Sequence, residues 1–198
     1  MGGREVGGLS NQLAAHMEID KPEHHDRLSR FWNTDRLTNT AGRKTIEMFQ
    51  AIERGEIKAV WIIATNPVVS IPDADQVKRA LEKCELVIVS EIEKQTDCTE
   101  FADVLLPALG WGEKDGTVTN SERRISHQRA FLPAPGEAKA DWWMLKEVGK
   151  RMGFAEQFQF ETAVDVFREH ARLSAFENQG QRDFDISALA NITEQEYE

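Results

Sequence analysis

Uninterrupted runs of hydrophobic residues mark the middle of the chain. The runs Ala59–Ala64 and Leu86–Val89 show no alternation of polar and apolar positions, which is typical of strands buried on both faces of a sheet. A third run, Val104–Leu106, is closed by Pro107. Strands of this kind occur in parallel sheets, because helical crossovers cover both faces. The pattern therefore predicts a parallel sheet.

The segments between and after these runs have the spacing of amphipathic helices. Apolar residues share one face after Lys44, and Gly55 marks a stop. A second helix is predicted to begin within Ser70–Asp73, where a capping hydroxyl, a proline and an acid follow one another. Two more are expected at about Asp141–Met152 and Glu161–Leu173. This alternation predicts a doubly wound α/β fold, a mostly parallel sheet with helices on both faces in three α/β/α layers.

The length of the chain suggests one main domain with less regular ends. A chain of 198 residues can bury one good core and is too short to suggest two independent domains. Residues 1–43 are polar and glycine-rich, so we expect an irregular lead-in, and residues 44–175 form the predicted α/β domain. Gly116–Asn120 is expected to add a fourth short strand. Residues 176–198 are acidic and weakly periodic, which predicts a linker.

Charge and cysteine usage narrow the class of protein. The net charge of −10 argues against nucleic acid or an anionic membrane as a partner. Apolar stretches such as Ile57–Ala64 are shorter than the roughly 20 residues of a membrane span, and Met1–Glu5 shows no secretory leader. The two cysteines, Cys84 and Cys98, are too far apart in sequence for a zinc or iron–sulfur cage. Without a disulfide framework, the expected location is cytoplasmic.

Polar residues follow the predicted strands, where an open parallel sheet forms its ligand crevice. Thr65 and Asn66 come after the first strand, and a hydroxyl and an amide beside a helix start can donate to a diphosphate. Ser90 and Glu91 come after the second, and the acid can accept from a ribose hydroxyl or a purine N–H. Lys114, after the third, can supply positive charge to phosphates. We expect these residues to line one groove for a dinucleotide-like ligand.

Alternative interpretations remain open for each of these residues. Taken singly, Asn66 and Ser90 are better explained as turn formers or helix caps, and Glu91 alone is also explained as a solvated surface acid. The chain lacks the glycine-rich motifs of free-standing NAD or ATP sites, so the ligand is not gripped in those ways. The His24–Asp26 stretch is explained by a solvated face, and no metal site is predicted. Glu122–Arg124 is either a salt-bridged turn or an anion clamp.

Five segments, in order along roughly residues 1–190, resemble motifs of the molybdopterin oxidoreductases. They are Met1–Leu13, Ala64–Pro67, Val87–Glu91, Ala102–Pro107 and Trp111–Arg124. Within that family, the first and last are most similar to cytoplasmic assimilatory nitrate reductases. The resemblance covers the second of two α/β domains, without the N-terminal iron–sulfur segment or the C-terminal barrel.

The resemblance implies a cofactor and its contacts. The family holds a bis(molybdopterin guanine dinucleotide) molybdenum centre, with a 4Fe–4S cluster in the N-terminal part that this chain lacks. Glu91 stands where relatives carry aspartate, which implies a slightly deeper pocket if this acid reads guanine. Residues 1–43 would then lie near the metal, 44–175 would bind the dinucleotide and 176–198 would lead to the barrel. The implied cofactor contacts are Asn66, Ser90, Glu91, Lys114 and Asp141, with Thr65 as a neighbour.

The resemblance also implies a reaction. Arg4 falls in the segment that resembles the metal-proximal loop, where a guanidinium can orient an oxyanion such as nitrate. The alternative is a salt bridge to Glu5 or to another acid. The implied chemistry is two-electron reduction of nitrate to nitrite by oxygen-atom transfer. The implied partners are the remaining domains of the subunit and a redox donor such as a flavoprotein or ferredoxin, and the fragment is expected to be inactive alone. The alternatives are a formate dehydrogenase or other enzyme of the family, and a non-catalytic α/β scaffold.

Overall fold

The computed structural model describes residues 2–198, which pack as two compact units. Unit 1 comprises the residues up to 42 together with 115–130 and 149–198, and unit 2 comprises residues 43–114 and 131–148. The chain therefore passes between the units several times. The unit boundary between residues 42 and 43 lies one residue from the domain boundary expected after residue 43, and no unit boundary lies near 175. The expected domains stay predictions.

Eight α-helices and five strands are formed by the described residues. The helices are α1 (Gly2–Glu5), α2 (Pro22–Phe31), α3 (Thr45–Glu53), α4 (Pro67–Ser70), α5 (Ala74–Lys83), α6 (Asp141–Gly149), α7 (Ala163–Ala175) and α8 (Glu194–Tyr197). The strands are β1 (Ala59–Ile63), β2 (Leu86–Glu91), β3 (Val104–Pro107), β4 (Gly116–Thr119) and β5 (Ile125–Gln128).

The parallel sheet of unit 2 has the strand order β1-β2-β3. Its register pairs Ile63 with Ser90 and Glu91 with Pro107. The three hydrophobic runs are therefore neighbouring parallel strands, and the predicted α/β class is confirmed.

Helices pack on both faces of β1 and β2, whereas β3 is mostly exposed. Since side chains alternate across a strand, Val60, Ile62, Val87 and Val89 share one face, and α3 and α5 pack on it through apolar residues that include Phe49 and Val77. Ser90 points to the opposite face, where its hydroxyl contacts Met144 of α6. Each large apolar side chain buried in this core contributes roughly 1.5–3 kcal/mol.

The helix predicted to begin within Ser70–Asp73 begins at Ala74 in the structure. The short α4 ends at Ser70, and α5 begins after Asp73, whose carboxylate accepts from the backbone N–H of Gln76 at 2.9 Å. Asp73 is thus the cap in place of Ser70, as expected for an acid at a helix start.

Unit 1 contains the antiparallel hairpin β4–β5, which pairs Gly116 with Gln128 and Thr119 with Ile125. The side-chain oxygen of Asn120 accepts from the backbone N–H groups of Glu122 and Arg124 and shapes the turn. The strand predicted at Gly116–Asn120 therefore exists, and it pairs with β5 in unit 1.

The last twenty residues fold against α7 in unit 1. Tyr197 and the partly buried Ile186 and Ile192 pack with Val164 and Phe167. These apolar residues are too widely spaced to show the periodicity of a helix or a strand, and for that reason the sequence predicted a linker here. No helix among residues 2–198 is long and apolar enough to cross a membrane.

Candidate functional site

The carboxyl ends of the parallel strands form one edge of the sheet in unit 2. Beyond the last paired residue of β1, the backbone N–H of Ala64 donates to the carbonyl of Ser90 at 3.4 Å. Beyond β3, the N–H of Ala108 donates to the carbonyl of Glu91 at 3.0 Å. Thr65, which follows Ala64, and Glu91 therefore lie along the same edge, as ligand sites of open α/β sheets do.

A further stretch of backbone extends this edge beyond β3. The N–H of Lys139 donates to the carbonyl of Pro107 at 3.0 Å, and the N–H of Leu109 donates back to Lys139 at 3.1 Å. Ala108 and Lys139 form a parallel bridge. Asp141, two residues later, begins α6 and is thereby placed at the same edge.

Lys114 and Asp141 form the charged part of the edge. The Nζ of Lys114 lies 3.9 Å from Oδ2 of Asp141. The exposed fractions of the two side chains are 31% for Lys114 and 25% for Asp141, so both are mostly buried. The other carboxylate oxygen of Asp141, Oδ1, is buried and has no hydrogen-bond partner among the described residues. A buried acceptor without a donor is unfavourable, so it is suited to an N–H donor from a ligand.

The turn after β1 positions Asn66. Ala64 adopts the left-handed conformation with φ 54°, which is uncommon for a residue with a side chain and turns the backbone out of the sheet. The Nδ2 of Asn66 donates to Asp97 at 3.2 Å, and its Oδ1 accepts from the thiol of Cys98 at 3.0 Å. Burial raises the pKa of that thiol, which keeps it a donor. Asn66 is therefore fixed to the loop after β2.

Ser90 is held inside the protein. Its side chain is buried, its Oγ accepts from the indole N–H of Trp61 at 2.8 Å, and the hydroxyl lies 3.6 Å from the Sδ of Met144. Ser90 thus joins β1, β2 and α6, and its role as a direct cofactor contact stays a prediction. Neighbouring Glu91 is partly exposed, and its Oε1 accepts from the N–H of Ile92 at 2.8 Å.

Trp61 and Met144 were not among the residues proposed from sequence. The available signal was a tryptophan inside an otherwise aliphatic strand, because a buried indole N–H needs a hydrogen-bond acceptor. Thr65, Asn66, Ser90, Glu91, Lys114 and Asp141 all belong to unit 2, where the strand ends bring them to one edge.

Arg4 belongs to unit 1 and lies on α1, where its side chain is exposed. Among the described residues Arg4 forms no salt bridge to Glu5, whose carboxylate pairs with Arg123 at 2.8 Å. The same pairing makes the Glu122–Arg124 segment a salt-bridged turn in this structure.

A cavity of about 470 Å³ lies beside α1 in unit 1. Gly2, Gly3 and Val6 form one wall, residues of β4 and β5 form another, and His170 also lines it. Burial lowers the pKa of His170, so the imidazole is held in its neutral form. No group of three or more potential metal ligands among residues 2–198 comes together, the predicted solvated His24–Asp26 stretch included.

A parallel sheet with a polar carboxyl edge and a buried, unpaired carboxylate oxygen is typical of an α/β domain that binds a large cofactor. The chain matches the family model described as molybdopterin oxidoreductase over residues 2–151. It therefore belongs to the molybdopterin oxidoreductase family, as the sequence motifs predicted, and the family implies a molybdopterin cofactor.

Relatives include enzymes with two different substrates. The chain is 54% identical to a nitrate reductase of Klebsiella oxytoca over 198 residues, all of this chain and 23% of that protein. It is 36% identical to the F420-dependent formate dehydrogenase 1 subunit alpha of Methanococcus maripaludis over 173 residues, 87% of this chain and 25% of that protein. The chain thus spans about a quarter of the length of the curated relatives that it matches.

A similar fold occurs in a solved structure. The acetylene hydratase from Pelobacter acetylenicus superposes with a TM-score of 0.57 at 21% sequence identity, covering 68% of this chain and 19% of that one. At this level of identity the likeness supports the fold.

Proposed function

We propose that this chain is the part of a molybdenum nitrate reductase that binds one molybdopterin guanine dinucleotide. The observation that carries the proposal is the buried, unpaired Oδ1 of Asp141, which lies with Lys114 at the carboxyl edge of the sheet. Family membership supplies the cofactor class, and the greater identity to a nitrate reductase than to a formate dehydrogenase supports nitrate as the substrate.

The residues at the edge suit two parts of such a dinucleotide, the diphosphate linkage and the guanine. The ammonium group of Lys114 supplies positive charge for the diphosphate, in a chain whose net charge is −10. The unpaired Oδ1 of Asp141 accepts an N–H of the guanine, and so does Glu91 if the base reaches the end of β2. Asn66 and Thr65 offer donors beside the phosphates, and Ser90 fixes the strands that present them.

In the whole enzyme, the bound cofactor supplies two-electron oxygen-atom transfer, which converts nitrate to nitrite. This chain holds the dinucleotide, and Arg4 orients the nitrate through two parallel hydrogen bonds. The proposal includes a cytoplasmic enzyme of nitrate assimilation, a 4Fe–4S cluster elsewhere in the protein, and a flavoprotein or ferredoxin as donor. The fragment alone is proposed to be inactive.

The alternative function is formate oxidation by the same domain of a formate dehydrogenase, which the methanococcal relative supports. Assays of the purified full-length protein with nitrate and with formate distinguish the two substrates. A protein that carries neither molybdenum nor guanine nucleotide would contradict both and would support the non-catalytic scaffold.

Replacing Lys114 with alanine in the full-length protein is expected to lower the affinity for the guanine dinucleotide by roughly 10- to 100-fold. A charge-assisted hydrogen bond contributes about 1.5–3 kcal/mol, and 1.4 kcal/mol corresponds to a factor of ten. The measurements are molybdenum by mass spectrometry and guanine nucleotide released on denaturation, per mole of protein.

Lys58→Ala is the matched control for this experiment. Lys58 precedes β1 and pairs with Glu85 at 2.8 Å, at the opposite, amino edge of the same sheet. Its replacement removes the same charge without touching the carboxyl edge, so cofactor content should stay at the wild-type level. Equal cofactor content in the Lys114 and Lys58 variants would refute the proposed role of Lys114.

A further inference from the structure

A buried carboxylate, Glu5, joins α1 to the β4–β5 hairpin within unit 1. Its side chain is only 3% exposed. Oε1 accepts from Nε of Arg123 at 2.8 Å, and Oε2 accepts from the hydroxyl of Thr119 at 3.1 Å. Both carboxylate oxygens are therefore engaged, on residues more than a hundred positions away in the sequence.

The arginine that pairs with Glu5 is itself held in position. Arg123 adopts a left-handed conformation with φ 66°, and its Nη2 lies 3.1 Å from Nε2 of His16. His16 and its neighbour Ala15 are also left-handed, with φ 59° and 53°. Such conformations are unfavourable for residues with side chains, and they collect at functional sites where the surroundings enforce them.

The backbone around Glu5 is equally constrained. The carbonyl of Glu5 accepts from the N–H of Ala15 at 2.7 Å, and the N–H of Gly8 donates to the carbonyl of Gly3 at 2.6 Å. Arg4 lies inside this turn and has an exposed side chain. The turn therefore presents one guanidinium on a backbone that is fixed on both sides.

The pairing of buried Glu5 with Arg123, whose side chain is 46% exposed, is poorly explained by stability alone. Removing the Glu5 carboxylate from water costs free energy, and its attraction to a partly solvated guanidinium offsets only part of that cost. Glu5 instead ties together two walls of the cavity beside α1, because Thr119 and Gly2 both line it. The position of α1 depends on that connection.

We propose that Glu5 is a positioning residue, which fixes α1 through Arg123 and Thr119 so that Arg4 meets the substrate oxyanion in one orientation. This inference rests on the proposed function, in which Arg4 contacts nitrate. A misplaced guanidinium would bind the oxyanion less tightly, because paired N–H···O bonds to an oxyanion depend on the orientation of the donors.

The test is Glu5→Gln in the full-length, cofactor-loaded enzyme. Glutamine keeps the shape and removes the charge that pairs with Arg123. The matched control is Glu56→Gln, because Glu56 also accepts from arginines, Arg43 and Arg54, but is exposed and belongs to unit 2. Three quantities are measured: hydrogen–deuterium exchange of residues 2–17, molybdenum content, and the KM and kcat for nitrate.

Glu5→Gln is expected to speed exchange in residues 2–17 and to raise KM for nitrate about tenfold, with molybdenum content and kcat nearly unchanged. The control should match the wild type in all three. If Glu5→Gln does not yield folded protein, Thr119→Val removes only one of the two bonds to the carboxylate and should raise KM about threefold.

Unchanged exchange in the folded Glu5 variant, or faster exchange with unchanged KM, would overturn the inference. A KM increase accompanied by an equal loss of molybdenum would also overturn it, because the effect would then be general destabilisation. Failure of the proposed function shows separately, as a wild-type enzyme that does not reduce nitrate. The exchange measurement on that same protein would still decide whether Glu5 fixes the turn.

Discussion

Replacing Gly7 with alanine is expected to destabilise unit 1 by at least about 3 kcal/mol, since it forces a strained conformation and a backbone clash together. Gly7 has φ 79°, where a side chain is disfavoured, and a Cβ there would lie 2.6 Å from the nitrogen of Ala14 and from the carbonyl carbon of Leu13. These are backbone atoms, so no side-chain rotation relieves the clash.

The Gly7 prediction is measured as hydrogen exchange of residues 8–17, which should become at least about a hundredfold faster, at a factor of ten per 1.4 kcal/mol. Gly3→Ala is the matched control, because Gly3 lies in α1 and, apart from its chain neighbours and the backbone of that helix, no described atom falls within 4 Å of its added Cβ. Exchange should hardly change in that variant. Similar exchange rates in the Gly7 and Gly3 variants would contradict the requirement for a residue without a side chain at position 7.

Replacing Phe49 with alanine is expected to destabilise unit 2 by about 3–5 kcal/mol, the usual range for deleting a buried aromatic ring. Phe49 lies on α3, is 1% exposed and packs in the core formed by β1, β2 and α5. The cavity left behind would face the strands whose ends carry the candidate site, so cofactor content should fall as well.

Ile46→Ala provides the comparison on the same helix. Ile46 is 51% exposed, so its truncation removes little buried surface and should cost under about 1 kcal/mol. Hydrogen exchange of the β1 and β2 amides reports the difference between the two variants. If both variants exchange alike, Phe49 is not the packing residue that the structure indicates.

Strands β1 and β2 were predictable from sequence because they are covered on both faces, whereas β3 leaves Val104 and Leu105 40% and 38% exposed. That environment selects uninterrupted apolar runs, and the observed strands Ala59–Ile63, Leu86–Glu91 and Val104–Pro107 lie within two residues of the predicted ones. Once the strands are parallel, the residues that follow them must share an edge. Thr65 and Glu91 were placed correctly on that edge by this argument alone.

Other parts of the site leave no local pattern. Lys139 pairs with the sheet through backbone atoms at a single bridge, so no hydrophobic run in the sequence indicates this pairing. Asp141 was identified only from the family resemblance. The Glu5–Arg123 pair joins residues 118 positions apart. A buried acid and a solvated one look alike in a sequence, and only the fold distinguishes them.

The interleaving of the two units has a consequence for how the protein is made on the ribosome. All three parallel strands of unit 2 have been synthesised once the chain reaches Pro107. The core of unit 1 around Leu13, Met17 and Leu28 is complete only when Leu173 has also been synthesised. Nascent chains fold as their segments emerge, so the sheet should form while α1 and α2 are still exposed. Premature termination before α7 would leave those apolar residues uncovered and prone to aggregation, and would make them a target for chaperones.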